Sequence, residues 1–300
     1  MRRIDRILLA IQPTQPRRVD LRASLLGTQL DIDSFDVLAV KRTSTGVRCA
    51  TTYSHVRVDG GTLIAVREGC PVEFPDEPDK LWSVQRGSPA DVIAGTAERI
   101  GADLTLVAGS GRSRFADWMR PSGNARLVRL SRGAVLLVHA EPRVPYRSVV
   151  VATDFSRASL RAARTAYLLA PTARFVFVHA CQLPDELLMR ECDLPLRAIR
   201  SYRGSRAEAA RKQLDAFIDR FLHALPPGAR EVQIGSPSHV IRACAGRHGA
   251  DLVVVGRGAT HPGAWISSSN VMQKLMDGGP FDLLVGPDAG GDDTGLRMAA

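Results

Sequence analysis

The sequence predicts an α/β protein of two similar domains, each a doubly wound, mostly parallel five-stranded sheet with helices on both faces. Three observations carry that prediction. First, "VQRGSPADVIAGTAERIGADLTLVA" at 84–108 returns as "VQIGSPSHVIRACAGRHGADLVVVG" at 232–256 without a gap, at an offset of 148 (232 − 84). An offset close to half of the 300 residues means two copies of one fold, each long enough to close a hydrophobic core. Second, short valine-rich runs take turns with segments whose apolar residues recur every three to four positions, the rhythm of strands and helices. Third, those runs are apolar throughout, as strands buried on both faces of a parallel sheet must be.

The first half opens with a strand in "RILLAIQPT", a helix in "PRRVDLRASLLGTQL" and a second strand in "FDVLAVK". "GVRCATTYSHVRVDGGTLIAVREG" then alternates and turns at Asp59-Gly60-Gly61, the pattern of a β-hairpin. That hairpin either offers an edge to another subunit or covers the sheet as a self-contained insertion. "DKLWSVQRG", "ADLTLVAG" and "GAVLLVH" supply the later strands, and "HAEPRVPYR" at 139–147 carries two prolines as a short semi-rigid linker.

The second half repeats the order. "RSVVVATDFSRASLRAARTAYLLA" is strand, loop and helix, with Asp154 at the strand's carboxyl end and Ser156 as N-cap. "RFVFVHA" is a strand, and 197–224 is a long helix with Ala209, Leu214, Phe217 and Phe221 on its apolar side. "REVQIG" is a strand, followed by a helix capped by Ser236 with Pro237 in its first turn, where a missing N–H costs nothing. "ADLVVVG", "NVMQKLM" and "FDLLVG" complete the half as strand, helix and strand. The expected boundaries are 1–143 and 144–288, with 289–300 as a flexible polar tail. In a sheet of this kind ligands sit beyond the carboxyl ends of the strands, where strand order reverses.

Composition narrows the function. No run reaches the roughly 20 apolar residues of a membrane helix, and the polar N-terminus does not read as a signal peptide, so a cytoplasmic protein is expected. The odd set Cys49, Cys70, Cys181, Cys192 and Cys244 lacks CxxC spacing and reads as reduced thiols. The net charge of +9 is almost all arginine, since Lys41, Lys80, Lys212 and Lys274 are the only lysines. Its densest cluster, Arg112, Arg114, Arg120, Arg126, Arg129 and Arg132, has few aromatic platforms and reads as a solvated basic face with an anionic partner as the alternative; nucleic acid is not the expected partner.

The order "VVVATDFS", "FVFVHA", "GSP" before a helix, "GADLVVVG" and "SSNVMQKLM" resembles the universal stress protein family, and the chain looks like a tandem member. The resemblance implies an adenine-nucleotide α-hydrolase-like fold, two domains paired about a pseudo-twofold axis, and a role as a stress-response regulator. It also implies ATP or another adenine nucleotide held by an aspartate after the first strand and a loop of pattern G-x2-G-x9-G-[S/T] after the fourth. Carried over, Asp154 would hold the base or ribose, Gly256 and Gly258 would lie beside the ribose and phosphates, and Ser269 and Asn270 would donate to phosphate. Ala259 replaces the second motif glycine, and Ser269-Asn270 stand where Gly-[S/T] belongs, although the spacing (269 − 256 = 13) survives. In the first half, Gln12 replaces the aspartate.

Nothing convergent for catalysis is visible. GxSxG, GxxxxGK[ST] and a zinc-hydrolase histidine pair are missing, so no enzyme and no metal are predicted, and slow ATP hydrolysis in the second half would lack a base beyond Asp154. His179 is expected as a hydrogen-bonded histidine beneath the loop; a site gathered from His179, Cys181 and Cys192 is the metal alternative. The rival to nucleotide sensing is a nucleotide-free interaction scaffold that uses the hairpin and the arginine-rich surface.

Overall fold

A computed structural model describes residues 4–11, 18–32, 35–43, 46–50, 53–59, 62–67, 70–73, 82–85, 88–109, 121–183, 185–221, 228–257 and 269–288. The first half contains β1 (Ile7–Ile11), α1 (Arg18–Leu30), β2 (Phe35–Thr43), β3 (Gly46–Ala50), β4 (Tyr53–Asp59), β5 (Thr62–Arg67), β6 (Cys70–Glu73), β7 (Trp82–Gln85), α2 (Pro89–Ile100), β8 (Leu104–Ala108), α3 (Pro121–Leu130) and β9 (Ala134–Val138). The second contains β10 (Ser148–Ala152), α4 (Arg157–Leu169), β11 (Arg174–Cys181), α5 (Glu186–Glu191), α6 (Leu196–Phe221), β12 (Ala229–Ile234), α7 (Pro237–Arg247), β13 (Leu252–Val255), α8 (Ser269–Met276) and β14 (Asp282–Val285).

The strands of both halves join into one sheet that runs β12-β11-β10-β13-β14-β9-β8-β1-β2 and continues through β4-β5-β6. From β12 to β2 every pairing is parallel except that of β14 with β9, where Leu284 faces Leu136 and the halves meet. Strand order reverses between β10 and β13, and again between β1 and β8. Alternate residues of each strand feed opposite cores. Val150 and Ala152 belong to the core to which α2, α3, α7 and α8 contribute, whereas Val149 and Val151 belong to that of α1, α4 and α6.

The repeated segment does the same structural work twice. Ser88 caps α2 in a capping box with Asp91, and Pro89 and Pro237 open α2 and α7. Gly101 (φ 68°) and Gly249 (φ 55°) end those helices in the left-handed conformation that only glycine adopts cheaply. Asp103 then accepts the backbone N–H groups of Asp5 and Arg6, and Asp251 those of Arg147 and Ser148, so each pins the start of the neighbouring first strand.

Two details depart from the sequence expectation. The hairpin forms, with Asp59 opposite Thr62, but β7 pairs antiparallel with β3 instead of lying parallel beside β2. The hairpin has taken that edge: β3 and β4 both pair with β2, so no ladder is left for a fifth parallel strand. On α6 the buried small residue is Ala210, with Leu214, Phe217 and Ile218, whereas Ala209 is exposed. The side chain of Phe221 lies outside the described residues.

At the seam between the halves a polar cluster is buried. The Asp282 carboxylate of β14 accepts from Arg22 Nε at 3.0 Å, from Tyr146 OH at 2.7 Å, and from the backbone N–H groups of His139 and Ala140. Arg22, 4% exposed, also lies 3.9 Å from the Tyr146 ring centroid and donates to Val144 O. A buried charge pair with every partner supplied loses far more when one member is removed than it contributes as a pair.

Candidate functional site

The site is built where β10 ends beside β13, at the strand-order reversal where an α/β sheet opens a crevice. Thr153 follows β10, fully buried; its hydroxyl accepts from Phe155 N at 3.0 Å and shares a hydrogen bond with Ser159 Oγ. Asp154 Oδ1 accepts from both the backbone and the hydroxyl of Ser156. Ser156 in turn accepts from Ser159 N, the N-cap of α4 that the sequence predicts. Between them Phe155 adopts φ 63°, a left-handed conformation that costs a non-glycine residue about 1–2 kcal/mol. Its ring stacks on His179 at 4.3 Å and meets Phe217 edge-on at 5.9 Å.

His179 is hydrogen-bonded, as expected, with Nδ1 in contact with Thr153 O at 2.8 Å, and burial holds the imidazole below its ordinary value. Asp154 Oδ2 is buried and has no hydrogen-bond partner among the described residues. A buried carboxylate oxygen is costly to leave without a donor.

Asp154 and Gly256 come together at neighbouring strand ends. Gly256 has a packing reason to be glycine: a Cβ there would stand 2.5 Å from Ser159 N and 2.6 Å from Ala158 C, both backbone atoms of α4. Ser269 and Asn270 are the first residues of α8, with side chains outside the described residues, as is Gly258. Gln12, Arg112, Arg114 and Arg120 also lie outside them. Of the remaining arginines, Arg126 of α3 pairs with Asp91 of α2, and Arg132, two residues past α3, pairs with Glu98 of α2. Sequence reasoning missed Arg257, which follows Gly256 and donates to Ser131 O and Gly133 O of the first half. A cation directly after a motif glycine was the one signal available for it.

Among the described residues, Glu231, Cys244 and His248 are the group of three metal-type donors that lies together; His179, Cys181 and Cys192 do not. No described helix is long and apolar enough to cross a membrane.

In parallel α/β sheets ligands are commonly found beyond the strand ends where the order reverses, and Asp154 stands at that place in this fold. Residues 145–286, a little under half of the chain, match the universal stress protein family. A universal stress protein from Archaeoglobus fulgidus is similar in structure, with TM-score 0.56 and 14% identity over 93% of this chain and 96% of that one. A candidate universal stress protein from Pseudomonas aeruginosa gives TM-score 0.57 and 15% identity over 94% of this chain and 92% of that one. Both likenesses extend over the two halves and show the fold. None of the curated proteins matches the chain.

Proposed function

We propose that the chain is a tandem stress-response regulator of two domains, 1–143 and 144–288 followed by a tail, whose second domain binds an adenine nucleotide such as ATP. The observation that carries this reading is the buried Oδ2 of Asp154, which has no hydrogen-bond partner among the described residues and lies at the strand-order reversal. Ribose hydroxyls or an adenine amino group are donors of the kind that atom lacks, and Ser156 already holds the other oxygen in place. The phosphates would run toward the start of α8, where Ser269 and Asn270 lead a helix whose N-terminus favours anions. Binding there would move the loop that ends in α8 and so alter a surface read by a partner. The chemistry asked of the site is recognition, not turnover.

Denaturing release of small molecules with mass detection, backed by calorimetric titration of ATP, ADP and AMP, tests this. The expected result is about one adenine nucleotide per chain, lost in Asp154→Ala. No released nucleotide and no heat at millimolar concentration would overturn it. The scaffold reading draws support from one observation, the hairpin β4-β5 and β6, which extends the sheet beyond β2. Under it, Asp154→Ala leaves partner capture unchanged.

A further inference from the structure

Away from the nucleotide crevice, on the α7 face of the sheet, three side chains of different chemistry converge. Cys244 and His248 are four residues apart, one turn along α7 and its C-cap, so both project to the same side. Glu231 comes from β12, the neighbouring edge strand, on the face opposite Val232, which packs against the other core. The Cys244 sulfur, a His248 ring nitrogen and a Glu231 oxygen lie within 4.8 Å of one another. The geometry points to a site for one divalent transition-metal ion of the zinc class, held by Cys244 Sγ, His248 Nε2 and Glu231 Oε1, with water as fourth ligand.

Donor type and support both favour this. Thiolate, imidazole and carboxylate are the zinc ligand set, and tetrahedral zinc holds its ligand atoms roughly 3–4 Å apart, so side-chain rotation suffices to close on the ion. The Glu231 carboxylate is divided in the required way: Oε1 faces His248 Nε2, while Oε2 accepts from Arg247 and, at 2.8 Å, from Gln233. Those two donors would remain on the outer oxygen and orient the ligating one, as second-sphere partners do. The His248 backbone is fixed as well, its carbonyl accepting from Ser148 Oγ at 3.0 Å and Arg174 at 3.1 Å. Cys244 is fully buried, whereas His248 and Glu231 are partly exposed, which gives the ion a way in.

Without an ion the three groups hold one another through protons, and burial with the nearby Glu231 charge pushes the Cys244 thiol up to about 12. Loading releases that thiol proton to solvent, and the proton that His248 Nε2 shares with Glu231 Oε1 also leaves through solvent, so that His248 coordinates through the Nε2 lone pair with its ring proton on Nδ1. The offset of 148 places Thr96 and Ile100 at the matching positions of α2 (244 − 148 and 248 − 148), so the first half has no such site.

Cobalt(II) titration of the reduced, chelator-treated chain is the test, with zinc competition to follow. The expected result is a near-ultraviolet thiolate-to-cobalt band and visible bands of a four-coordinate ion, saturating at about one per chain and displaced by zinc. Cys244→Ala should abolish the thiolate band, and His248→Gln, at a partly exposed position, should weaken zinc binding at least about 100-fold. Arg247→Ala should weaken it about tenfold. Cys181→Ser and Cys192→Ser should change nothing. Circular dichroism confirms that each variant is folded. Absence of the band in the parent chain, its survival in Cys244→Ala, or undiminished zinc affinity in His248→Gln overturns the site.

Discussion

At the end of β10 the second half holds Asp154 inside a net of Thr153, Ser156 and Ser159; at the matching end of β1 the first half has Gln12. Where Gly256 lets β13 close against α4, the matching residue is Ala108 (256 − 148). Yet Gly101 and Gly249 both end helices, and Asp103 and Asp251 both pin a first strand. What the halves share is therefore the machinery of folding, and what separates them is the chemistry at the strand ends. Even the shared "GSP" is not used identically. Ser88 receives a hydrogen bond from Asp91 N and returns one to its carboxylate, whereas Ser236 has His239 in that place and makes no side-chain cap.

The strongest way to break the comparison is to cut the joint that makes both halves one sheet. Asp282→Ala strands the buried Arg22 charge and removes the acceptor of Tyr146, and should cost about 3–5 kcal/mol in urea unfolding. Adding Arg22→Met should recover much of that loss, because the orphaned charge is then gone. Next in size, Gly256→Ala drives a methyl into α4 backbone and should cost roughly 1–3 kcal/mol. The mirror change Ala108→Gly should cost only about 0.5–1 kcal/mol, through lost chain stiffness. A further contrast is in capping: Ser88→Ala should cost about 1 kcal/mol, while Ser236→Ala should stay within about 0.5 kcal/mol, both read from denaturation midpoints.

The smallest effect at neutral pH is one of slope. Burial holds His139, at the seam, and His179, at the site, below the ordinary histidine value of 6.5. As pH falls through 6.5 the unfolded chain takes up protons that the folded chain resists, so stability declines from there toward the lowered values and is unaffected above about pH 7.5. Denaturation midpoints at pH 7.5 and 5.5 should show that decline, and His179→Gln should flatten it.

The frame was legible because its signals are local. Apolar runs, the Ser-Pro helix openings, the glycine helix ends and the alternation of β4 and β5 each specify structure within a few residues, whereas Gly60 and Gly61 of the expected turn lie outside the described residues; Asp154 was placed by the strand it follows. The seam was not legible. Arg22 and Asp282 meet across a separation of 260 residues, and neither carries a pattern that announces the other. The antiparallel course of β7 was hidden for a related reason: its sequence matches β12, but its partner depends on β3 and β4 occupying the ladder of β2. Cys244 and His248 were visible at helical spacing, whereas Glu231 joins them only once β12 packs beside α7. Gly256 shows the converse hazard, a motif position whose residue type is already required by packing against α4.

The β14–β9 ladder also sets the symmetry of anything larger. By pairing with each other, these strands use up the two edges through which the halves meet, so the chain is closed at its centre and open at its ends. Strand addition among the described elements is left with β12 at one end and the hairpin side at the other. Joining β12 to β12 forms an isologous pair that stops at two chains, whereas joining β12 to the hairpin side is heterologous and propagates as a filament. The acidic and basic residues Glu231 and Arg230 on β12, the latter tied to Asp215 and Asp219, are the kind of charged edge that holds such growth in check.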